Sequence, residues 1–202
     1  MSCFNDFKQE ISNIKELANG WHGIVYTADY NNKKIAIKVP KTDEVIHTTE
    51  VEIENLKRLQ HFKFVPKLVS CGDDYFAYSF IEGIHFSAFL KKNKDLEIYK
   101  KVLLQMLSDL YELDKFGMFK KELIRCTKNF IVDKNFCVFM IDFERSKDDI
   151  FYKNIPQFLQ FLKNLNIFSL DEVIQLGLKY HQNTESVFNE ICEKISSINK
   201  IS

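Results

Sequence analysis

The sequence predicts an α+β chain: a strand-rich N-terminal part with one helix, then a mostly helical part from about Asp95. Three patterns predict it. Apolar residues alternate on either side of Asn31-Asn32, as in a hairpin. Ile98, Val102, Met106, Leu110 and Leu113 recur at helical spacing. A second pair of apolar runs flanks Asp133-Lys134-Asn135 and interrupts the helical part.

Composition bounds the class. A chain of 202 residues makes one domain or two small lobes. With 46% hydrophobic and 28% charged residues, it is neither disordered nor collagen-like. Twenty-eight basic and 28 acidic side chains cancel, so no net field draws the protein to nucleic acid. The five cysteines are scattered and never in a C-x-x-C pair, which predicts spectator thiols in a reducing compartment. The first residues lack the apolar stretch of a signal peptide. The longest nearly apolar run, Phe136 to Ile141, is far short of the roughly 20 residues that span a bilayer. The expectation is a soluble cytoplasmic protein with no membrane partner.

Taken in order, Ile24 to Asp29 and Lys33 to Val39 read as paired strands. In the second, Ile35, Ile37 and Val39 share one face, and Ala36 and Lys38 the other. Thr48 to Gln60 reads as a helix, with Ile53, Leu56 and Leu59 as its stripe and Thr49-x-x-Glu52 as a capping box. Phe64 to Cys71 and Tyr75 to Ile81 read as strands around Gly72-Asp73-Asp74. A connection follows near Phe80 to Phe86. Glu97 to Asp114 is the strongest helix, stopped by Gly117. Phe130 to Val132 and Phe136 to Ile141 form the second hairpin, and helices at Pro156 to Leu165 and Leu170 to Ile195 close the chain.

Several features carry chemistry. Gly20-x-x-Gly23-x-Val25 lies at a turn between strands, where glycines let backbone N–H groups approach a phosphate. An ordinary turn explains the same glycines. Lys38 lies on an otherwise apolar strand and needs an anion or a path to water. Small Ala36 on the same face leaves room for a flat ring. The following helix carries Glu50, Glu52 and Glu54, of which Glu52 is the favoured partner for Lys38, unless it serves the capping box. Asn129 and Asp142 bracket the second hairpin, and its pairing brings an amide oxygen and a carboxylate together at the open end. Both are hard oxygen ligands suited to Mg²⁺. A turn cap and a strand end explain the same two residues. Between Gly117 and Asn129 lies a basic loop, Lys120-Lys121-Glu122-Leu123 with Arg125 and Lys128, in which Glu122 is the only carboxylate.

In this order and spacing the chain resembles the protein-kinase-like superfamily, closest to the small atypical archaeal kinases predicted to act on serine and threonine, kin of the RIO-type kinases. Ala18, Gly20, Gly23 and Val25 occupy the positions of G-x-G-x-x-G-x-V. Ile35-Ala36-Ile37-Lys38 matches V-A-I-K. Glu52 to His61 is similar to the helix carrying the lysine's glutamate partner. Tyr78-Ser79-Phe80-Ile81-Glu82-Gly83 looks like the hinge. Asn129-Phe-Ile-Val132 and Ile141-Asp142-Phe143 match the two metal-ligand strands. The likeness covers about Ala18 to Arg145.

The resemblance implies a two-lobed protein-kinase-like fold: a strand-rich N-lobe at about 1–82, a hinge at about 79–86 and a reduced helical C-lobe at about 87–202. It implies ATP and Mg²⁺ as cofactors. Gly20, Gly23, Val25, Ala36, Lys38, Glu52, Tyr78, Ser79 and Ile81 would bind ATP, the last two through their backbones. Asn129 and Asp142 would hold the metal. Glu122, Lys38 and Asp142 would be catalytic, with Lys120 or Lys121 near the transferred phosphoryl. The acceptor would be a protein hydroxyl, including this chain's own. A small-molecule kinase, an ATPase and a nucleotide-binding pseudokinase are the rival readings. Three departures bear on them. Lys120-Lys121-Glu122-Leu123 stands where H-R-D-L would fall, Asp142-Phe143-Glu144 replaces D-F-G, and no A-P-E motif follows.

Overall fold

The computed structural model describes residues 3–200, the side chains of 43–45, 125 and 126 excepted. The chain divides into two compact units. One runs through Glu82 and takes in Ile141–Arg145, and the other comprises Gly83–Met140 and the chain from Ser146 onward.

The first unit holds α1 (Phe4–Phe7), β1 (Ser12–Asn19), β2 (Gly23–Tyr30), β3 (Lys33–Pro40), α2 (Asp43–Arg58), β4 (Leu68–Cys71) and β5 (Phe76–Ser79). The strands form one antiparallel sheet in the order β1-β2-β3-β5-β4. Asn31 and Asn32 both have positive φ, 49° and 61°, and Tyr30 pairs with Lys33. A two-residue turn with this twist suits the hairpin, and asparagine tolerates the left-handed region. Phe4 and Phe7 pack with Ala28, Ile35, Ile37, Tyr75 and Ala77 on one sheet face. The rings of Phe7 and Tyr75 stack at 4.8 Å, and Asp74 Oδ1 accepts the Phe4 N–H at 2.7 Å.

Three expectations for this unit need correction. The sequence pattern does not predict β1, because all eight of its residues are exposed and its register is irregular. An edge strand with no buried face leaves no alternating pattern. α2 starts at Asp43, five residues before Thr48, with Thr42 as its N-cap. Thr49 is therefore buried inside the helix, and Thr49-x-x-Glu52 caps nothing. The strand expected from Phe64 is confined to Leu68–Cys71. Phe64 and Val65 are buried outside it, ahead of Pro66, which has no N–H to give a ladder.

The second unit holds β6 (Gly83–His85), α3 (Phe86–Lys92), α4 (Leu96–Phe116), β7 (Met118–Phe119), a 3-10 helix (Leu123–Lys128), β8 (Phe130–Asp133), β9 (Val138–Met140), β10 (Lys147–Asp148), α5 (Asn154–Asn164), α6 (Leu170–Tyr180) and α7 (Thr184–Ser196). α4 is capped at both ends. The Asp95 carboxylate accepts from Glu97 and Ile98 N–H groups, and Gly117 turns left-handed at φ 78°. β6, β8 and β9 form an antiparallel sheet with Phe130 opposite Met140. Asp133 Oδ1 closes the hairpin by accepting from Asn135 and Cys137 N–H groups.

The helix expected from Leu170 to Ile195 is two helices. The first ends at Tyr180, and Asn183 caps the second, its side chain accepting from Ser186 N–H. β6, α3 and the short β7–β10 pair escape sequence reading because each is brief. Their partners are also distant in the chain. Among the described residues, no helix is long and apolar enough to cross a membrane. Cys3, Cys71, Cys137 and Cys192 are free thiols.

Candidate functional site

In the first unit the chemistry gathers around Lys38. β3 lies between β2 and β5, with Lys38 opposite Val25 on one side and Phe76 on the other. Two residues back, buried Ala36 sits opposite Thr27 and Tyr78. Lys38 is only 14% exposed and would be costly there without anions. It has three. Nζ lies 2.6 Å from Glu52 Oε2, 3.0 Å from Glu144 Oε2 and 4.0 Å from Asp142 Oδ1.

Glu52 reaches Lys38 from α2 and is itself buried. Its second oxygen, Oε1, accepts the Phe143 N–H at 3.1 Å. One helical turn on, the buried side chain of Asn55 donates to the Phe143 carbonyl at 3.0 Å. Glu52 and Asn55, three residues apart on one helix face, thus hold both polar groups of the Phe143 peptide backbone. The Phe143 ring is fully buried. This anchorage fixes Asp142 and Glu144 on either side of it.

Electrostatics follow from the geometry. Burial alone would lower the Lys38 pKa, but Glu52, Asp142 and Glu144 outweigh it and raise the ammonium above the ordinary lysine value. Burial pushes the Glu52 carboxyl up, and Lys38 opposes the shift. Burial, with the nearby Glu52 charge, also raises the Tyr78 phenol. Glu52, Asp142 and Glu144 present oxygens within 4.8 Å of one another. Hard carboxylate donors of this kind fit Mg²⁺, and one lysine charge against three carboxylates leaves the cluster net negative.

The remaining candidates of this unit lie on the same sheet. The turn from β1 to β2 is closed by Gly20 N–H donating to the Gly23 carbonyl at 3.0 Å, and Lys41 Nζ holds the Gly20 carbonyl at 2.7 Å. A Cβ on Gly23 would stand 2.5 Å from the Val39 carbonyl oxygen, so close approach of β3 requires glycine there. Gly20 has no such constraint, its nearest atom being 3.6 Å from a Cβ. Trp21 at the tip is 90% exposed. Tyr78 and Ser79 end β5, and the Ser79 N–H is committed to the Lys67 carbonyl at 2.8 Å. Ile81 follows the strand, half-buried.

Glu122 and Asn129 belong to the second unit. Together with Ile124, Thr127, Lys128 and Phe161 they line a cavity of about 910 Å³. Glu122 is exposed and adopts φ 71°, a costly backbone for a glutamate. The two lysines before it differ: Lys120 is buried at 1% exposure, whereas Lys121 is exposed. A buried polar network positions this loop. Asn154 Oδ1 accepts the Lys120 N–H at 2.8 Å, and Asn154 Nδ2 donates to the Met118 carbonyl at 2.7 Å. Asp114 in turn accepts the N–H groups of Asn154 and Ile155 and the hydroxyl of Tyr180. Asp114 so caps α5 from another helix, which is why α5 starts two residues before Pro156.

Sequence reasoning missed Glu144 and Asn55 as site residues. Glu144 lies two residues past Asp142, and Asn55 one turn past Glu52. Both spacings were visible, but neither names a partner until Phe143 is seen between them. The chain matches no protein-family model and no curated protein sequence.

Proposed function

We propose that this chain is a Mg²⁺- and ATP-dependent phosphotransferase of protein-kinase-like, two-lobed fold, acting on serine or threonine hydroxyls of a protein. One observation carries the reading. A strand lysine, Lys38, pairs with a helix glutamate, Glu52, which also grips the backbone beside Asp142. A lysine held in place by a carboxylate can present its charge to α- and β-phosphates without reorganising. Ala36 and Tyr78 would bound the adenine, with the Ser79 carbonyl and Ile81 N–H on its edge. Gly20, Gly23 and Val25 would cover the triphosphate.

Asp142 would be a ligand to Mg²⁺. When bound, the ion would screen the β- and γ-phosphate charge. Glu122 would orient the acceptor hydroxyl and accept its proton as the oxygen attacks γ-phosphorus, and ADP would leave. Lys121, exposed beside Glu122, suits the role near the transferred group better than buried Lys120.

A second reading is supported by Glu144, whose carboxylate already occupies Lys38. In it the chain binds nucleotide without transferring phosphate and acts as a partner-binding module. The test is incubation with Mg²⁺ and γ-labelled ATP, following label into protein, small molecules and free phosphate. Labelled protein supports the kinase. Free phosphate alone indicates an ATPase, and a labelled metabolite a small-molecule kinase. Binding without turnover leaves the second reading.

A further inference from the structure

We propose that Glu144 makes nucleotide binding at Lys38 obligately dependent on a divalent cation. The inference rests on the nucleotide reading above and adds its regulation. Glu144 Oε2 is 3.0 Å from Lys38 Nζ, in direct contact with the ammonium assigned to the phosphates. The Glu144 side chain is 9% exposed, and its other oxygen faces His22 at 3.7 Å and Arg145 at 3.9 Å. The Phe143 backbone beside it is held at both polar groups by Glu52 and Asn55, so the chain enters Glu144 from a fixed point next to Lys38.

A polyphosphate arriving without a cation would meet Lys38 already saturated by two carboxylates. It would also meet like charge from Glu52, Asp142 and Glu144. Like charges a few ångströms apart repel by several times thermal energy even at a screened effective dielectric. A divalent cation reverses the sign. It gives Asp142 and Glu144 a partner of their own and leaves Lys38 to Glu52 and the phosphate. Glu144 thereby sets the order of binding, cation with or before nucleotide.

The test is ATP affinity by calorimetry, with excess Mg²⁺ and with chelator, for the wild-type chain and Glu144→Gln. Gln keeps the size and removes the charge. Wild type is expected to bind ATP only with Mg²⁺. Glu144→Gln should tighten Mg²⁺-free binding by about tenfold or more, the scale of one removed charge at this range. Titration of Mg²⁺ alone reads the same residue independently, and Glu144→Gln should weaken it. Melting temperature checks the fold, and Glu144→Ala replaces Glu144→Gln if the latter does not fold. Metal-free affinity within about twofold of wild type, with wild type binding Mg²⁺-ATP normally, overturns the inference alone. Failure of the wild type to bind ATP even with Mg²⁺ overturns the nucleotide reading and this inference with it.

Discussion

Glu52 divides its carboxylate between two jobs, Oε2 lying 2.6 Å from Lys38 Nζ and Oε1 accepting the Phe143 N–H at 3.1 Å. One side chain of α2 therefore ties a sheet lysine to the segment that presents Asp142 and Glu144. Removing it breaks both ties at once and leaves Lys38 buried against fewer anions. Glu52→Ala should destabilise the protein by about 3 kcal/mol, as expected when a buried pair loses one partner. Chemical denaturation of the two proteins measures it.

Asn55 makes the complementary hydrogen bond to the Phe143 carbonyl. Asn55→Ala leaves that buried carbonyl without this donor, which costs about 1–3 kcal/mol. If Asn55 positions Asp142 and Glu144, the same variant should also weaken Mg²⁺ binding. A loss of stability with unchanged Mg²⁺ affinity would confine Asn55 to a structural role.

The two glycines of the β1–β2 turn should respond differently. Gly23→Ala drives a Cβ to 2.5 Å from the Val39 carbonyl oxygen, so strands must part. A cost of about 1–3 kcal/mol follows from such overpacking. Gly20→Ala makes only an ordinary contact, 3.6 Å from the Gly23 carbonyl oxygen, and should melt like wild type. Any loss of ATP affinity in Gly20→Ala would then report on the turn's contact with nucleotide rather than on folding.

Glu122 sits at φ 71°. Glycine adopts that backbone freely, so Glu122→Gly should raise stability by about 1 kcal/mol. The same change removes the proposed base and should abolish transfer. Stability gained with activity lost would mark a strained functional position. Melting curves and the labelled-ATP assay, run on one preparation, read both.

Asp109 on α4 gives a pH dependence. Burial pushes its carboxyl up to about 8, against the lowering hydrogen bond from Gln105. Its Oδ2 is buried and makes no hydrogen bond among the described residues. The folded chain therefore holds this proton more tightly than the unfolded chain does. Its favourable contribution is complete below about pH 4 and is lost as pH rises towards 8. Asp109→Asn should flatten that decline and exceed the wild type in stability at pH 8, by on the order of 1–3 kcal/mol after allowance for relaxation. Denaturant melts at pH 5 and pH 8 decide it.

What the sequence reveals here depends on burial. The Asn31-Asn32 hairpin, Ala36 and Lys38 on one strand face, and the α4 stripe are legible because local pattern and fold agree. β1 is not legible, because no residue of it is buried. Glu52 was readable as either a cap or a lysine partner. Sequence reading starts α2 at Thr48, where the capping box looks plausible, and only the helix start at Asp43 removes that option. The contact of Glu144 with Lys38 spans 106 positions, beyond any local pattern. The cap that Asp114 gives α5 is non-local in the same way.

Asp142 is the residue on which to test phosphoryl transfer. Its φ of 65° suits asparagine as well as aspartate, and its side chain is 45% exposed, so Asp142→Asn removes charge without forcing the fold. The measurement is γ-phosphoryl transfer from Mg²⁺-ATP by the wild type and by Asp142→Asn. Labelled protein from the wild type, and a loss of at least about a hundredfold in Asp142→Asn, is the expected result. No label from a wild type that binds Mg²⁺-ATP, or equal label from both proteins, would contradict phosphotransfer at this site.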